Sequence, residues 1–430
     1  MAADIPAGVD PAPSRPAVGL LRKLGPGLVT GAADDDPSGI ATYSQVGAAF
    51  GYSLAWTMLF SFPLMVVIQE IAARIGSVTG AGIAQNLRRH YPHIVVRIVV
   101  GLLVIANVIN LGADLGAMGA ALDQLLGGPV HLYTVGFGVV CIALEVFVAY
   151  PRYAAALKWA TLSLFAYVAV AFAARVPIDR ALSGTLIPTL TLDAPHAMAL
   201  VAVLGTTISP YLFFWQSGQE VEEGHRRHVK PLCVAPDMAG PELGRIRTDT
   251  IIGMGFSNLI ALSIIVATAA TLHAQGITDI QTSAQAAQAL RPIAGDFAFA
   301  LFASGIIATG MLAVPVLAGS AAYGVGEMFG WTTGLARGLK EARAFYAVIA
   351  LTTLAGVALN FTPIDPIKAL YWSAVVNGVL AAPLMAAMML IATNKRAMGR
   401  LTLSLPMMIA GWLATAVMAA ASISFFVLSV

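Results

Sequence analysis

Residues 34–36 are three consecutive aspartates, Asp34, Asp35 and Asp36, followed by Pro37, Ser38 and Gly39 and flanked on both sides by apolar stretches. Carboxylates are hard oxygen ligands, and a helix interrupted at a proline and a glycine frees backbone carbonyls of the same kind. Each charge inside an apolar span costs about 2.5–3.5 kcal/mol, so three of them call for a cation or water as compensation. A second interruption stands at Gly205-Thr206-Thr207-Ile208-Ser209-Pro210, again in the middle of an apolar run. It offers hydroxyls and freed carbonyls. The chemistry of such a pair is the holding of a cation at mid-membrane depth.

The elements that must position these residues follow from composition. The chain has 430 residues, 58% of them hydrophobic and 11% charged, with a mean hydropathy of +0.81. Soluble domains carry about 25% charged residues, so a water-soluble enzyme and a disordered chain are excluded. A net charge of +2 gives no basic field for nucleic acid. Cys141 and Cys233 are far apart and suggest neither a disulfide framework nor a thiolate metal site. Neither a phosphate-binding GxxxxGK[ST] nor a His-Glu-x-x-His motif occurs, so no ATPase subunit is implied.

Eleven apolar segments read as transmembrane helices, at about 24–48, 52–75, 97–121, 130–150, 153–175, 196–219, 250–273, 294–322, 344–360, 366–393 and 404–429. Residues 1–20, rich in Pro and Ala, read as a flexible cytoplasmic tail rather than a signal peptide. With the N-terminus inside, only Arg175, Arg180, Arg291 and Lys368 of the 24 Lys and Arg residues fall on the outer side. That asymmetry predicts a cytoplasmic N-terminus and an extracytoplasmic C-terminus. The interrupted segments are the first and the sixth, so each opens a five-helix half. Matching breaks in two halves point to a transporter of inverted repeats with its site at the break. The expected division is 1–20 tail, 21–175 first repeat, 194–393 second repeat and 404–430 final helix.

At these residues the sequence resembles the Nramp family of divalent-metal transporters, whose first helix begins Gly-Pro-Gly and breaks at Asp-Pro-Gly-Asn, and whose sixth breaks at Met-Pro-His. The matching positions are Gly25-Pro26-Gly27, Asp36-Pro37-Ser38-Gly39 and Ser209-Pro210-Tyr211. The likeness runs on through GYSLAW (51–56), QEIAARIGSVTG (69–80), GADLG (112–116) and ATNKRAMG (392–399). It implies an all-α polytopic membrane protein of eleven transmembrane helices, a LeuT-like 5+5 inverted repeat with broken helices 1 and 6 plus one extra helix. It also implies a metal site of Asp36, the Ser209 side chain and the carbonyls of Ala33 and Thr206, with Gly39 at the family's Asn position and Tyr211 and Asp35 shaping the cavity.

The departures bear on selectivity. Gly39 loses an amide ligand, and Ser209 replaces a soft thioether with a hydroxyl, which relaxes discrimination against Mg²⁺. Smaller residues there are expected to leave room for the waters that Mg²⁺ keeps. The family's helix-6 histidines are Tyr211 and Gln216 here, and the acidic residue three after Asp114 is Ala117. Neither histidine replacement titrates near neutrality. The pattern resembles the Nramp-related magnesium transporter branch, which implies Mg²⁺ and Mn²⁺ permeation without proton drive.

The remaining polar residues read less sharply. Asp34 and Asp114 belong to the ion or proton route, and Glu70 and Arg74 suit an i,i+4 pair. Glu145 reads as facing water at a helix end, and Asp237 and Glu242 as exposed in the polar loop 224–249. Glu220, with Glu222 and Glu223, reads equally as an acidic inner vestibule or as a solvated helix end beside Arg226 and Arg227. Asn377 is placed on the pathway or in an interhelical hydrogen bond. The expected activity is import of Mg²⁺ or Mn²⁺ by alternating access, with the bilayer and the ion as partners and no cofactor. The alternatives are proton-coupled Mn²⁺/Fe²⁺ uptake through Asp36 and Asp114, and Na⁺-coupled organic-solute transport on the same fold. Against the last, the aspartates repel a carboxylate. A non-transporting membrane sensor has no motif in its favour.

Overall fold

Pro37 and Pro210 each start a helix in mid-span, because a proline at the first helical position lacks only an N–H that has no intrahelical acceptor. In the computed structural model, which describes residues 25–148, 161–174 and 176–428, the first span is therefore two helices, α1 (Pro26–Asp34) and α2 (Pro37–Phe50). Asp36 is the N-cap of α2, its carboxylate accepting from the Gly39 amide. Then come α3 (Trp56–Thr79), α4 (Ile83–His90), α5 (His93–Leu126) and α6 (Val130–Phe147). Helix α7 (Phe165–Ala173) is the described part of the fifth span, whose other part lies outside the described residues. The tail at 1–20 lies outside them too. A short α8 (Ile178–Leu186) leads to the second broken span, α9 (Ala194–Thr207) and α10 (Pro210–Arg226). The chain continues through α11 (Ala239–Thr271), α12 (Ala298–Phe329), α13 (Arg343–Leu359), α14 (Pro366–Ala392) and α15 (Leu405–Leu428).

Eight helical stretches of the described residues are long and apolar enough to cross a membrane. With the α1–α2 pair, α7 and the 17-residue α13, they make the expected eleven. The architecture is all-helical: a broken span followed by four others, the same again, and α15 last. Both breaks are shorter than expected, Asp35-Asp36 in the first and Ile208-Ser209 in the second. The polar loop expected at 224–249 is instead helical from residue 239 onward. Its Glu242 is buried and bonded to Arg227 at 2.7 Å and to Arg245 at 3.0 Å, which corrects the expectation that it is exposed. Asp237 is exposed, as expected.

The half-helices lie at the centre. Helix α1 packs on α11, α10 on α3, α9 on α14, and α5 lies against α12 and α14. Gly31 lets α1 approach α11 closely, since a Cβ there would lie 2.2 Å from the Gly253 carbonyl oxygen. Outer helices show Ile98, Ile105, Leu351 and Leu413 on their exposed faces, the apolar belt that a bilayer solvates.

Candidate metal-binding site

The carboxylate of Asp36 sits where both broken spans meet. Its Oδ1 accepts from Ser38 Oγ and from the Gly39 amide, each at 2.7 Å. Its Oδ2 accepts from Asn110 Nδ2 at 3.0 Å, and Tyr211 Oη lies 3.3 Å away. Three donors on one carboxylate stabilise its charged form without a basic side chain. Tyr211 gives its one proton to the nearer Ala33 carbonyl at 2.9 Å, joining α10 to the last turn of α1.

Asn110 links this centre to its surroundings. Its amide donates to Asp36 and, at 3.1 Å, to Asp114 Oδ2, while its carbonyl accepts from Asn377 Nδ2 at 2.8 Å. In this orientation the amide nitrogen meets both carboxyl groups and the amide oxygen meets the Asn377 donor. Asp36, Asn110 and Asp114 thus form one hydrogen-bonded row, and Asn377 joins it from α14. The interhelical hydrogen bond expected of Asn377 is present and ends on a neighbour of Asp36.

The α9–α10 break contributes differently. Ser209 Oγ lies 2.9 Å from the Gly205 carbonyl and 2.8 Å from the Thr206 carbonyl and shares its one proton between them, so two of the expected ligand groups are bonded to each other. Gly39 faces Thr206: a Cβ there would lie 3.0 Å from Thr206 Oγ1 and 3.3 Å from the Asp34 carbonyl. The space expected for waters beside Gly39 is filled by these groups, because glycine lets the two breaks close on each other. Asp34 and Asp35 turn away from Asp36 towards α11, where Ser257 Oγ lies 2.5 Å from Asp34 Oδ2 and 3.1 Å from Asp35 Oδ1.

The other sequence-derived residues described next make no hydrogen bond to Asp36. Gln216 accepts from Gln69 at 2.7 Å and ties α10 to α3. Glu220 pairs with Arg245 at 2.5 Å. Glu222 accepts from the Tyr323 hydroxyl and from the amides of Leu335 and Ala336, and Glu223 pairs with Arg226. All three glutamates have partners, and Glu222 and Glu223 line the cavity on the face that bears Arg226. Glu70 and Arg74 form the expected pair at 2.7 Å. Glu145 is buried and neither of its oxygens has a partner, which corrects the expectation that it faces water; it lies on the side of α6 that packs against α5, α12 and α13.

Three contributors escaped the reading from sequence. Asn110 carried a signal, since it lies one helical turn before Asp114. Ser257 and Asp249 carried none, because each acts through contacts more than 200 residues away in the chain. Asp249 accepts from the amides of Gly25 at 2.9 Å, Gly27 at 2.7 Å and Leu28 at 3.1 Å, and so caps the start of α1 from α11.

Cavities approach the centre from both sides. One of about 940 Å³ opens on the face that bears Arg226 and Arg337 and reaches Trp215, one turn from Tyr211. One of about 310 Å³ opens on the opposite face and reaches Ser44 and Ala117. Asp36, Ser209 and Tyr211 lie between them, each no more than 2% exposed. Among the described residues no three His, Cys, Asp or Glu side chains converge on one point.

Two broken helices meeting at a buried carboxylate between opposed cavities define a polytopic membrane transporter. The sequence profile described as "Natural resistance-associated macrophage protein-like" matches residues 27–428. A "Divalent metal cation transporter MntH" of Xanthomonas campestris is 30% identical over 67% of this chain and 66% of its own length. One of Klebsiella pneumoniae is 25% identical over 92% of both chains. Among solved structures, the Eremococcus coleocola manganese transporter superposes with a TM-score of 0.75 at 16% identity, covering 94% of this chain and 86% of that one. Mhp1, a nucleobase-cation-symport-1 family transporter, superposes with a TM-score of 0.55 at 14% identity, covering 94% and 93%. These two likenesses bear on the fold. The chain belongs to the Nramp family.

Proposed function

We propose that this protein imports Mg²⁺ or Mn²⁺ across the cell membrane by alternating access, without obligatory proton coupling. The N-terminus lies in the cytoplasm and the C-terminus outside, so the face bearing Arg226 and Arg337 is the inner one. The observation that carries the reading is the donor set around Asp36. Its carboxylate, the carbonyls of Ala33 and Thr206, and the hydroxyls of Ser209 and Tyr211 are all oxygen, with neither thioether nor imidazole among them. Oxygen ligands suit hard cations, and sulfur is what favours softer metals. The relatives named as divalent metal cation transporters support the charge of the ion. An arriving cation takes the place of the Tyr211 hydroxyl beside Ala33 and Asp36. The inside-negative potential contributes about 2.3 kcal/mol per charge per 100 mV, twice that for a divalent ion, so uptake needs no proton. Competition tests the site: Mg²⁺ suppresses Mn²⁺ influx in the wild type, and a protein in which it does not has a site of the softer kind.

A second reading, proton-coupled Mn²⁺/Fe²⁺ uptake, is favoured by one observation. Asp36, Asn110 and Asp114 form a continuous hydrogen-bonded row, and Asp114 Oδ1 is buried without a partner. Lumenal acidification accompanying metal influx distinguishes it.

A further inference from the structure

We propose that Asp34, Asp35, Ser257 and Tyr43 form a second cation site beside Asp36, facing α11, that takes an alkali-metal ion. The inference rests on the reading of Asp36 as the ligand of a divalent ion. Both carboxylates converge on the Ser257 hydroxyl, at 2.5 and 3.1 Å. One hydroxyl carries one proton and donates to only one of them. Asp34 Oδ1 is buried with no hydrogen-bond partner. Among the described residues no Arg, Lys or His pairs with Asp34, Asp35 or Asp36.

Tyr43 supplies an independent observation. It comes from α2, its side chain is fully buried, and its hydroxyl makes no hydrogen bond of standard geometry, with the Thr206 side chain beside it. The charged groups that act on it most strongly are Asp34 and Asp35. Buried polar atoms are almost always bonded, and an orphan beside two uncompensated carboxylates is costly. One cation among the four groups resolves both defects.

Charge selects its class. Beside a divalent ion on Asp36, a singly charged cation is repelled half as strongly as a second divalent ion. Every donor is a hard oxygen, which suits Na⁺ or K⁺. Ser257 bonds neither Asp36 nor Tyr211, so the alkali ion lies off the divalent route and holds α1 against α11.

The test is thermal unfolding of the purified full-length protein in choline chloride at constant ionic strength, titrated with Na⁺ or K⁺ and, separately, with Mg²⁺. A saturable rise in melting temperature with alkali, absent with choline, is expected. Ser257→Ala weakens the apparent alkali affinity roughly tenfold or more, and Asp34→Asn removes the response, while the Mg²⁺ response of Ser257→Ala persists. Absence of an alkali-specific rise in the wild type, or a rise untouched by both substitutions, overturns the proposal. So does stabilisation on acidification in choline that leaves no alkali response, since a proton then fills the site. Stabilisation by alkali with no response to any divalent ion refutes the Asp36 reading instead, so the two failures are told apart.

Discussion

The Tyr211 hydroxyl donates to the Ala33 carbonyl at 2.9 Å, and so occupies an oxygen that the family's pattern assigns to the metal. The same hydroxyl reaches Asp36 Oδ2 at 3.3 Å. One side chain of α10 thus closes the break of the first span, bonding one group that would receive a cation and lying beside another. The position is a histidine in the family's motif, and a phenol holds no titratable charge near neutrality.

Tyr211→His restores an ionisable group beside Asp36. A protonated imidazole there repels an incoming cation, so metal influx in this variant falls as pH drops through about 6.5, the ordinary imidazole value. The wild type shows no such step between pH 6 and 7.5. Initial rates of Mn²⁺ influx at fixed membrane potential check this; parallel profiles in the two proteins place Tyr211 outside the ion's reach.

Asp36→Asn separates cap from ligand. Asparagine caps a helix about as well as aspartate, so the start of α2 is kept and stability falls by no more than about 1 kcal/mol. The negative charge is gone, and uptake falls to the level of empty vesicles, as it does for Asp36→Ala. Thermal unfolding and flux measured on the same preparation decide it. Substantial transport by the asparagine variant removes Asp36 from the metal's ligands.

Ser209→Met introduces a soft thioether at the break between α9 and α10. Selectivity shifts from Mg²⁺ towards Mn²⁺ and Cd²⁺. The substitution also frees the Gly205 and Thr206 carbonyls from the Ser209 hydroxyl. Competition of Mg²⁺ and Cd²⁺ for Mn²⁺ influx reads the change, and an unaltered order of preference takes Ser209 out of the site.

Asp249→Ala leaves three amides at the start of α1 without their acceptor. Loss of bonds to a charged acceptor costs about 1–3 kcal/mol. Helix α1 is then held to α11 mainly by the close packing of Gly31 on Gly253. Hydrogen exchange at residues 25–30 rises in the variant while that of α5 does not; unchanged protection of α1 contradicts the capping role.

The two breaks were legible because Pro37 and Pro210 lie within apolar runs, where a proline at depth has few structural outlets. Asp36 and Tyr211 were legible for the same reason, as polar groups beside those prolines. Asp36's partner Asn110 was half legible, through its one-turn spacing from Asp114. Ser257 and Asp249 could not be found, since nothing in the pattern of α11 says which face meets α1. The partners of Glu220 and Glu222 could not be found either: Arg245, Leu335 and Ala336, which neutralise or cap these two carboxylates, lie 25 to 114 residues away in the chain.

Mg²⁺ influx into proteoliposomes, with lumenal Mg²⁺ and pH dyes read together, separates uncoupled from proton-coupled transport. Mg²⁺ influx under an inside-negative potential, with no proton movement beyond that of empty vesicles, is the expected result. Mn²⁺ influx with lumenal acidification and no Mg²⁺ influx contradicts the proposed movement of a hard divalent ion without protons.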